Sequence, residues 1–282
     1  MTPDDAWTWA PAVLIALPGY WLLYVWRWRT VRARHGHRGA TGARLAAFTG
    51  ALLALAVALI SPVDRLGEQM FSWHMAQHIL LLDVAPILFY LGLSKVLLRP
   101  VTARLQGVER AIGPLAHPAF AVLLYGGMLW TWHIPAMYEL ALRNAEAHVA
   151  QHLLFVTTGL IFWGHVFSPI RSRFPLRGPS VGAYMGGAKF VTGVLASAIA
   201  FSPVGFYGFY GDQPRMWGLT AGEDQQLAGA MMMTWELIVM TSAFALLFVR
   251  MLADSEREEQ RRERFELGVP YGAAGVADEL GL

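Results

Sequence analysis

"FSWHMAQHILLLDVAPILFYLGLS", residues 71–94, decides what kind of molecule this is. The stretch contains one acidic residue, Asp83, and no Lys or Arg. Wound as a helix at 1.5 Å per residue it extends about 36 Å, more than the ~30 Å hydrocarbon core of a bilayer. It therefore reads as a membrane span, yet it opens on the polar word H-x-A-Q-H, His74 to His78. The same word returns at His148 to His152 in "HVAQHLLFV".

Six further apolar runs resemble the first in length. With it they give seven candidate spans, near 9–28, 43–60, 71–94, 115–134, 147–168, 184–207 and 226–250. The 282-residue chain is 55% hydrophobic and only 15% charged. Both figures point to an all-α, polytopic membrane protein, a seven-transmembrane-helix bundle. A net charge of +2 gives no sign of nucleic-acid binding. The absence of cysteine excludes disulfides, thiolate metal sites and cysteine nucleophiles. The start, "MTPDDAWTWA", is acidic where a signal peptide would be basic, so the first run reads as a retained helix.

Lys and Arg fall on alternate sides. Arg27 to Arg44, Lys95 to Arg110, Arg171 to Arg177 and Arg250 to Arg264 bracket one side, while the other has only Arg65, Arg143 and Arg215. By the positive-inside rule the N-terminus lies outside and the C-terminus in the cytoplasm. Residues 1–252 form a single transmembrane domain. Residues 253–282 form a charged cytoplasmic tail, helical where it reads "DSEREEQRRERFELG" and disordered over its last dozen residues. "TAGE", Thr220–Glu223, is a capping box at the head of the last helix. Pro86 and Pro203 fall inside spans and are expected to kink them. Spans two–three and four–five read either as duplicated helical hairpins, with Pro62 and Pro135 at matched positions, or as chance similarity.

Topology places the histidines in depth. The third and fifth spans both enter from outside, so His74 and His148 lie near the outer interface and His78 and His152 roughly 6 Å deeper. The fourth span ends outside at "WTWHIPAMY", which brings His133 to the same layer. Spacing of i to i+4 turns both imidazoles of each pair to one helix face. Five imidazoles from three helices suit metal ligation, since ionisable groups in spans are usually functional. Structural, hydrogen-bonded histidines are the alternative. Met70, Met75, Met137, Met216 and Met231 to Met233 crowd the same side, and thioether with imidazole and no thiolate suits Cu(I), unless they are packing filler. Gln77 and Gln151 either orient the rings or bond between helices. Asp83 and Glu236 sit mid-span, as protonated structural groups or as part of a proton or metal path. Glu223 and Asp224 are explained by the dipole of their own helix, with attraction of a cation as the alternative. His35, His37, His117 and His165 read as structural or solvated.

Four ordered blocks carry a family likeness: "SPVDRLGEQMFSWHMAQHILLLDVAPILFYLG", "WHIPAMYELAL", "HVAQHLLFVTTGLIFWG" and "DQQLAGAMM". Together they resemble the CtaG-like cytochrome c oxidase assembly factors of the caa type, over residues 50–250 or so. The resemblance implies a seven-helix bacterial plasma-membrane protein that helps build a haem-copper oxidase and acts in copper supply. It also implies His74, His78, His133, His148 and His152 as the matching positions, with Trp132, Trp163 and Asp224 as companions. One departure is "VAPILFYLG", where the family pattern has a double proline, a change that bears on the kink and not on the ligands.

The expected function is therefore that of a non-enzymatic assembly factor. It would bind copper, as Cu(I), at a periplasm-facing His/Met site and pass it to haem-copper oxidase subunits, with a periplasmic copper chaperone as a further partner. The alternatives are an intramembrane zinc-dependent hydrolase with Asp83 or Glu236 as base, a haem-binding electron carrier using His78 and His152, and an ion-free scaffold.

Overall fold

The structure, a computed structural model, describes residues 3–37, 39–170, 172–176, 178–203 and 206–266. All regular elements among them are helical. Ten matter here: α1 Pro11–His35, α2 Gly42–Ile60, α3 Pro62–Gln69, α4 Phe71–Gly92, α5 Thr102–Ile112, α6 Pro118–His133, α7 Pro135–Arg143, α8 Ala145–Phe167, α9 Pro179–Phe201 and α10 Ala221–Glu266. Among the described residues α2, α4, α8, α9 and α10 are long and apolar enough to cross a membrane. A sixth span results if the bent pair Thr102–Ala116 and Pro118–His133, at 73° to one another, counts as one. The chain divides into a compact unit, Met1–Met240, and a second, Thr241–Leu282. In the second unit the helix continues through the charged stretch to Glu266. The disorder expected of the last dozen residues lies outside the described residues.

Element order repeats. A long helix, a short proline-led helix and a histidine-bearing helix follow one another twice, as α2–α3–α4 and as α6–α7–α8. Pro62 opens α3 and Pro135 opens α7, because proline's fixed φ and missing N–H suit the first helical turn. Ser61 caps α3 by accepting from the Val63 N–H, and Asn144 caps α8 by accepting from Ala147. The expected capping box at Thr220–Glu223 is present: the Thr220 N–H donates to Glu223 Oε2 at 2.8 Å, and the Glu223 N–H donates back to Thr220 Oγ1 at 3.2 Å.

The two prolines behave differently. Pro86 follows a π-helical turn, Leu80–Val84, inside α4. Such a turn adds a residue to the ladder and absorbs the ring that would otherwise strike the preceding carbonyl. It also pushes the Leu82 carbonyl outward against α8 at Gly159, where an added Cβ would sit 2.1 Å from that oxygen. Only glycine admits this approach. Pro203 does not kink a span, because α9 stops at Phe201 and Pro203 lies beyond its end.

The far end of α4 is tied down by arginines expected only to set topology. Arg44 donates to the Leu91 and Leu93 carbonyls and Arg27 to those of Val96 and Leu97, satisfying acceptors that a helix end leaves open. Tyr24 donates to the Gly92 carbonyl at 2.7 Å and stacks on Phe48 at 3.8 Å. This apolar plug of Tyr24, Val31, Phe48, Leu93 and Leu97 anchors one end of the bundle. The histidines occupy the other.

Candidate functional site

The two H-x-A-Q-H words come together. His74 lies 4.2 Å from His78, ring centre to ring centre, and His148 lies 4.2 Å from His152. Across the two helices His74 faces His148 at 5.6 Å and His78 faces His152 at 6.1 Å. His133, at the last residue of α6, completes the group 6.2 Å from His78. The five expected residues therefore form one contiguous cluster built from α4, α6 and α8. His74, His78, His133 and His152 are buried and His148 is partly so.

The ring nitrogens are poorly provided for. Among the described residues both nitrogens of His74, both of His78, and Nε2 of His148 and His152 are buried without a hydrogen-bond partner. His74 also lies close to the Gly67 carbonyl, which accepts from the Tyr210 hydroxyl at 2.9 Å and has a second lone pair. A buried donor or acceptor left unmade costs about 1–3 kcal/mol, so several together call for an explanation. His133 differs. Its Nδ1 lies 2.7 Å from the Leu129 carbonyl, an acceptor only, so Nδ1 carries the proton and Nε2 presents a bare lone pair. That lone pair stands 3.5 Å from the Met75 sulfur, itself an acceptor.

The geometry can be compared with a metal's needs. Two imidazoles on one tetrahedral ion, with bonds of about 2.0 Å, put their ring centres roughly 5 Å apart. The observed 4.2 to 6.2 Å brackets that value. An ion bonded at about 2.0 Å to nitrogen and 2.3 Å to sulfur holds those two atoms roughly 3.5 Å apart, the spacing of His133 Nε2 and Met75 Sδ. Among the described residues no three His, Asp or Glu side chains are already closed around a single point. Imidazole with thioether and no thiolate is a donor set whose chemistry suits a soft or borderline ion.

Several supports were invisible in the sequence. α4 begins at Phe71 after Met70, which offers no capping side chain. Asp224 of α10 supplies the cap instead: its carboxylate accepts from the Phe71 N–H at 2.7 Å, the Ser72 N–H at 3.1 Å and the Ser72 hydroxyl. Its own helix dipole was the expected explanation, but its work is on α4, three residues before His74. Tyr138 of α7 is fully buried, 5.0 Å from His74 and 5.8 Å from His133. It stacks on Tyr207 at 4.1 Å, and its hydroxyl meets that of Tyr210 at 3.2 Å. Tyr207 in turn donates to the His133 carbonyl at 2.9 Å. Burial pushes all three phenols up from their ordinary range, so they remain neutral.

Gln77 bonds between elements, donating to the Ala58 carbonyl at 2.7 Å and to Asp64 at 2.9 Å. Gln151 is buried with no hydrogen bond to either amide atom among the described residues. Of the methionines, Met75 and Met232 line a cavity with His78 and His133, whereas Met137 and Met233 are exposed. His117 is structural, its Nδ1 accepting from the Ala119 N–H at 3.1 Å.

Asp83 and Glu236 share a neighbour in Tyr125. Tyr125 Oη lies 2.9 Å from Asp83 Oδ1 and 2.9 Å from Glu236 Oε1, and Trp163 Nε1 donates to Asp83 Oδ1 at 2.9 Å. Trp132, the other tryptophan companion, is only partly buried.

A family model, cytochrome c oxidase caa3 assembly factor (Caa3_CtaG), matches residues 22–254. The chain belongs to that family. The match covers the histidine cluster, the Asp224 cap and the Asp83–Glu236 pair together. A caa3 assembly factor serves the building of an oxidase complex, which makes cytochrome c oxidase the partner and assembly the role. No curated protein and no solved structure matches the chain significantly.

Proposed function

We propose that this assembly factor holds copper as Cu(I) among His74, His78, His133, His148 and His152, with Met75 as a thioether ligand, and passes it to the oxidase subunits. The carrying observation is the set of buried imidazole nitrogens without partners. Neutral imidazole is a metal ligand, and an ion would satisfy several of these nitrogens at once. The Met75 sulfur beside His133 Nε2 favours a soft ion over a hard one. No bond-making step is needed, so the role is that of a metal-handling chaperone and not an enzyme. The copper would come from a periplasmic chaperone.

The same reading places α1, α2, α4, α6, α8, α9 and α10 as seven spans of the plasma membrane. α1 is 25 residues long, about 37 Å, with an apolar run from Pro11 to Trp26 ahead of Arg27, Arg29, Arg32 and Arg34, which lower its hydropathy. The N-terminus and the turns around Arg65, Arg143 and Arg215 would face the periplasm, and the tail from 253 the cytoplasm.

The rival readings each meet an obstacle. A zinc hydrolase would need Asp83 or Glu236 free as a base, and both are engaged with Tyr125. A haem between His78 and His152 would need a broad slot where Phe155 and His74 pack 4.3 and 4.2 Å from His78. A pure scaffold has no use for unpartnered imidazoles. The test is the double variant His78→Ala with His152→Ala. It should insert normally, while oxidase isolated from that strain lacks copper, retains haem, and regains some activity with added copper. A copper-replete oxidase would rule the proposal out.

A further inference from the structure

The contacts around Tyr125 carry a proton count. A phenol has one hydrogen to donate. Tyr125 Oη nevertheless lies 2.9 Å from a carboxyl oxygen on each side, Asp83 Oδ1 and Glu236 Oε1. If both carboxyls were ionised, two negative charges would be separated by a single hydroxyl in an apolar bundle, and the phenol proton could serve only one of them well. A carboxylic acid on one side removes the conflict, because its O–H donates to the phenol oxygen while the phenol donates onward.

Which side holds the proton follows from the donors. Asp83 Oδ1 also accepts from Trp163 Nε1 at 2.9 Å, and an indole N–H can only donate. Asp83 thus has a fixed donor that favours its ionised form, whereas no such donor reaches Glu236 Oε1 among the described residues. Glu236 Oε1 has Tyr125 as its hydrogen-bonding neighbour, and Glu236 Oε2 is buried with no partner among the described residues. An oxygen without a donor suits the carbonyl of a neutral acid and not half of a carboxylate. Thr192, on the neighbouring α9, gives its hydroxyl to the Ala188 carbonyl at 3.1 Å. The other charged neighbour, Lys189, donates to the Met233 carbonyl at 3.0 Å. Trp235 Nε1 lies near Asp83 without a bond of normal geometry.

The site is joined to the histidines. A cavity of about 20 Å³ is lined by His78, His133 and Met75 at one end and by Asp83 and Glu236 at the other. That volume holds about one water molecule. We infer that Glu236, Tyr125 and Asp83 form a proton-binding site with the proton on Glu236, and that a cation bound at the histidine layer displaces it. The exchange rests on the copper reading above; the proton's position does not. Charge balance gives the reason: one monovalent cation enters a low-dielectric bundle as one proton leaves Glu236 for the medium. The groups facing Glu236 are Asp83 from α4, Tyr125 from α6, Lys189 from α9, and His78 and His133 across the cavity.

Infrared difference spectroscopy on the full chain in detergent, stripped with a chelator, reads the proton directly. The carbonyl stretch of a protonated carboxylic acid should be present and should vanish in Glu236→Gln, with Tyr125→Phe shifting its frequency. Thermal unfolding of both variants shows that they remain folded. Addition of Cu(I) alone should then abolish the band and release one proton per ion in weak buffer, and Glu236→Gln should bind the ion without that release. A band that survives Glu236→Gln overturns the assignment. Equal proton release in wild type and Glu236→Gln overturns the exchange. Failure of Cu(I) to bind, with the Glu236-dependent band intact, overturns the copper reading and the exchange while the proton site stands.

Discussion

His133 Nε2 stands 3.5 Å from the Met75 sulfur with no hydrogen between them, because the ring's proton is committed to the Leu129 carbonyl. Two lone pairs facing one another gain nothing by themselves. A soft cation would turn the contact into two bonds. Met75→Leu, which keeps the volume, should lower Cu(I) affinity by roughly tenfold or more, about 1.4 kcal/mol, and change zinc affinity far less. Competition titration against a chelator of known affinity measures both, and equal loss for the two metals would remove Met75 from the ligand set.

Asp224 and Ser72 link the last helix to the start of α4. Asp224→Ala leaves the first N–H groups of α4 without a cap and should cost about 1–2 kcal/mol. Asp224→Asn retains one acceptor oxygen and should recover part of that. Thermal unfolding in detergent ranks the two, and metal affinity should fall in parallel because His74 and His78 ride on this helix.

Gly159 lies against the outward carbonyl of the π-helical turn, where a methyl group would stand 2.1 Å from Leu82 O and 2.9 Å from the Pro86 ring. Gly159→Ala must therefore part α4 from α8, at a cost of about 1–3 kcal/mol. Gly127→Ala is the control, since nothing lies within 4 Å of an added Cβ there. Unfolding curves for the two should differ clearly, and equal curves would show that the π-helical contact is not tight.

Metal retention should depend on pH in one direction. An imidazole ligates only when the coordinating nitrogen is unprotonated, so proton and ion compete. Bound copper should be retained at neutral pH and lost on acidification. Equilibrium dialysis across that range checks the sign. Retention in a variant with all five histidines changed to Ala would place the ion elsewhere.

Much of this site is legible in the chain. The i to i+4 spacing of His74 with His78 and of His148 with His152 sets each pair on one helix face, and the apolar runs mark both helices as long enough to cross a membrane. The alternation of basic loops predicts that α6 runs opposite to α4 and α8, and His133 at its last residue does join their histidines. Periodicity and length are local properties of a sequence, and helices follow them closely. The blocks that resemble the oxidase assembly factors are local in the same sense, and the family match over residues 22–254 agrees with them.

Other features depended on how helices turn and approach one another. Nothing near Asp224 announces that it caps a helix begun 153 residues earlier in the chain. Seven methionines crowd one side of the sequence, yet it is the rotation of α4 that turns Met75 toward His133. Tyr138, Tyr207 and Tyr210 come from stretches with no spacing signal and meet through an aromatic stack. Asp83 and Glu236 each look like a lone acid in an oily span, and the tertiary packing places Tyr125 between them. Sequence by itself determined which residues share a helix face and a depth, because those follow from the 1.5 Å rise and 3.6-residue turn. Only the fold decided which faces meet, because side-chain packing between helices fixes rotation about each axis, and every hydrogen bond across the bundle follows from that rotation.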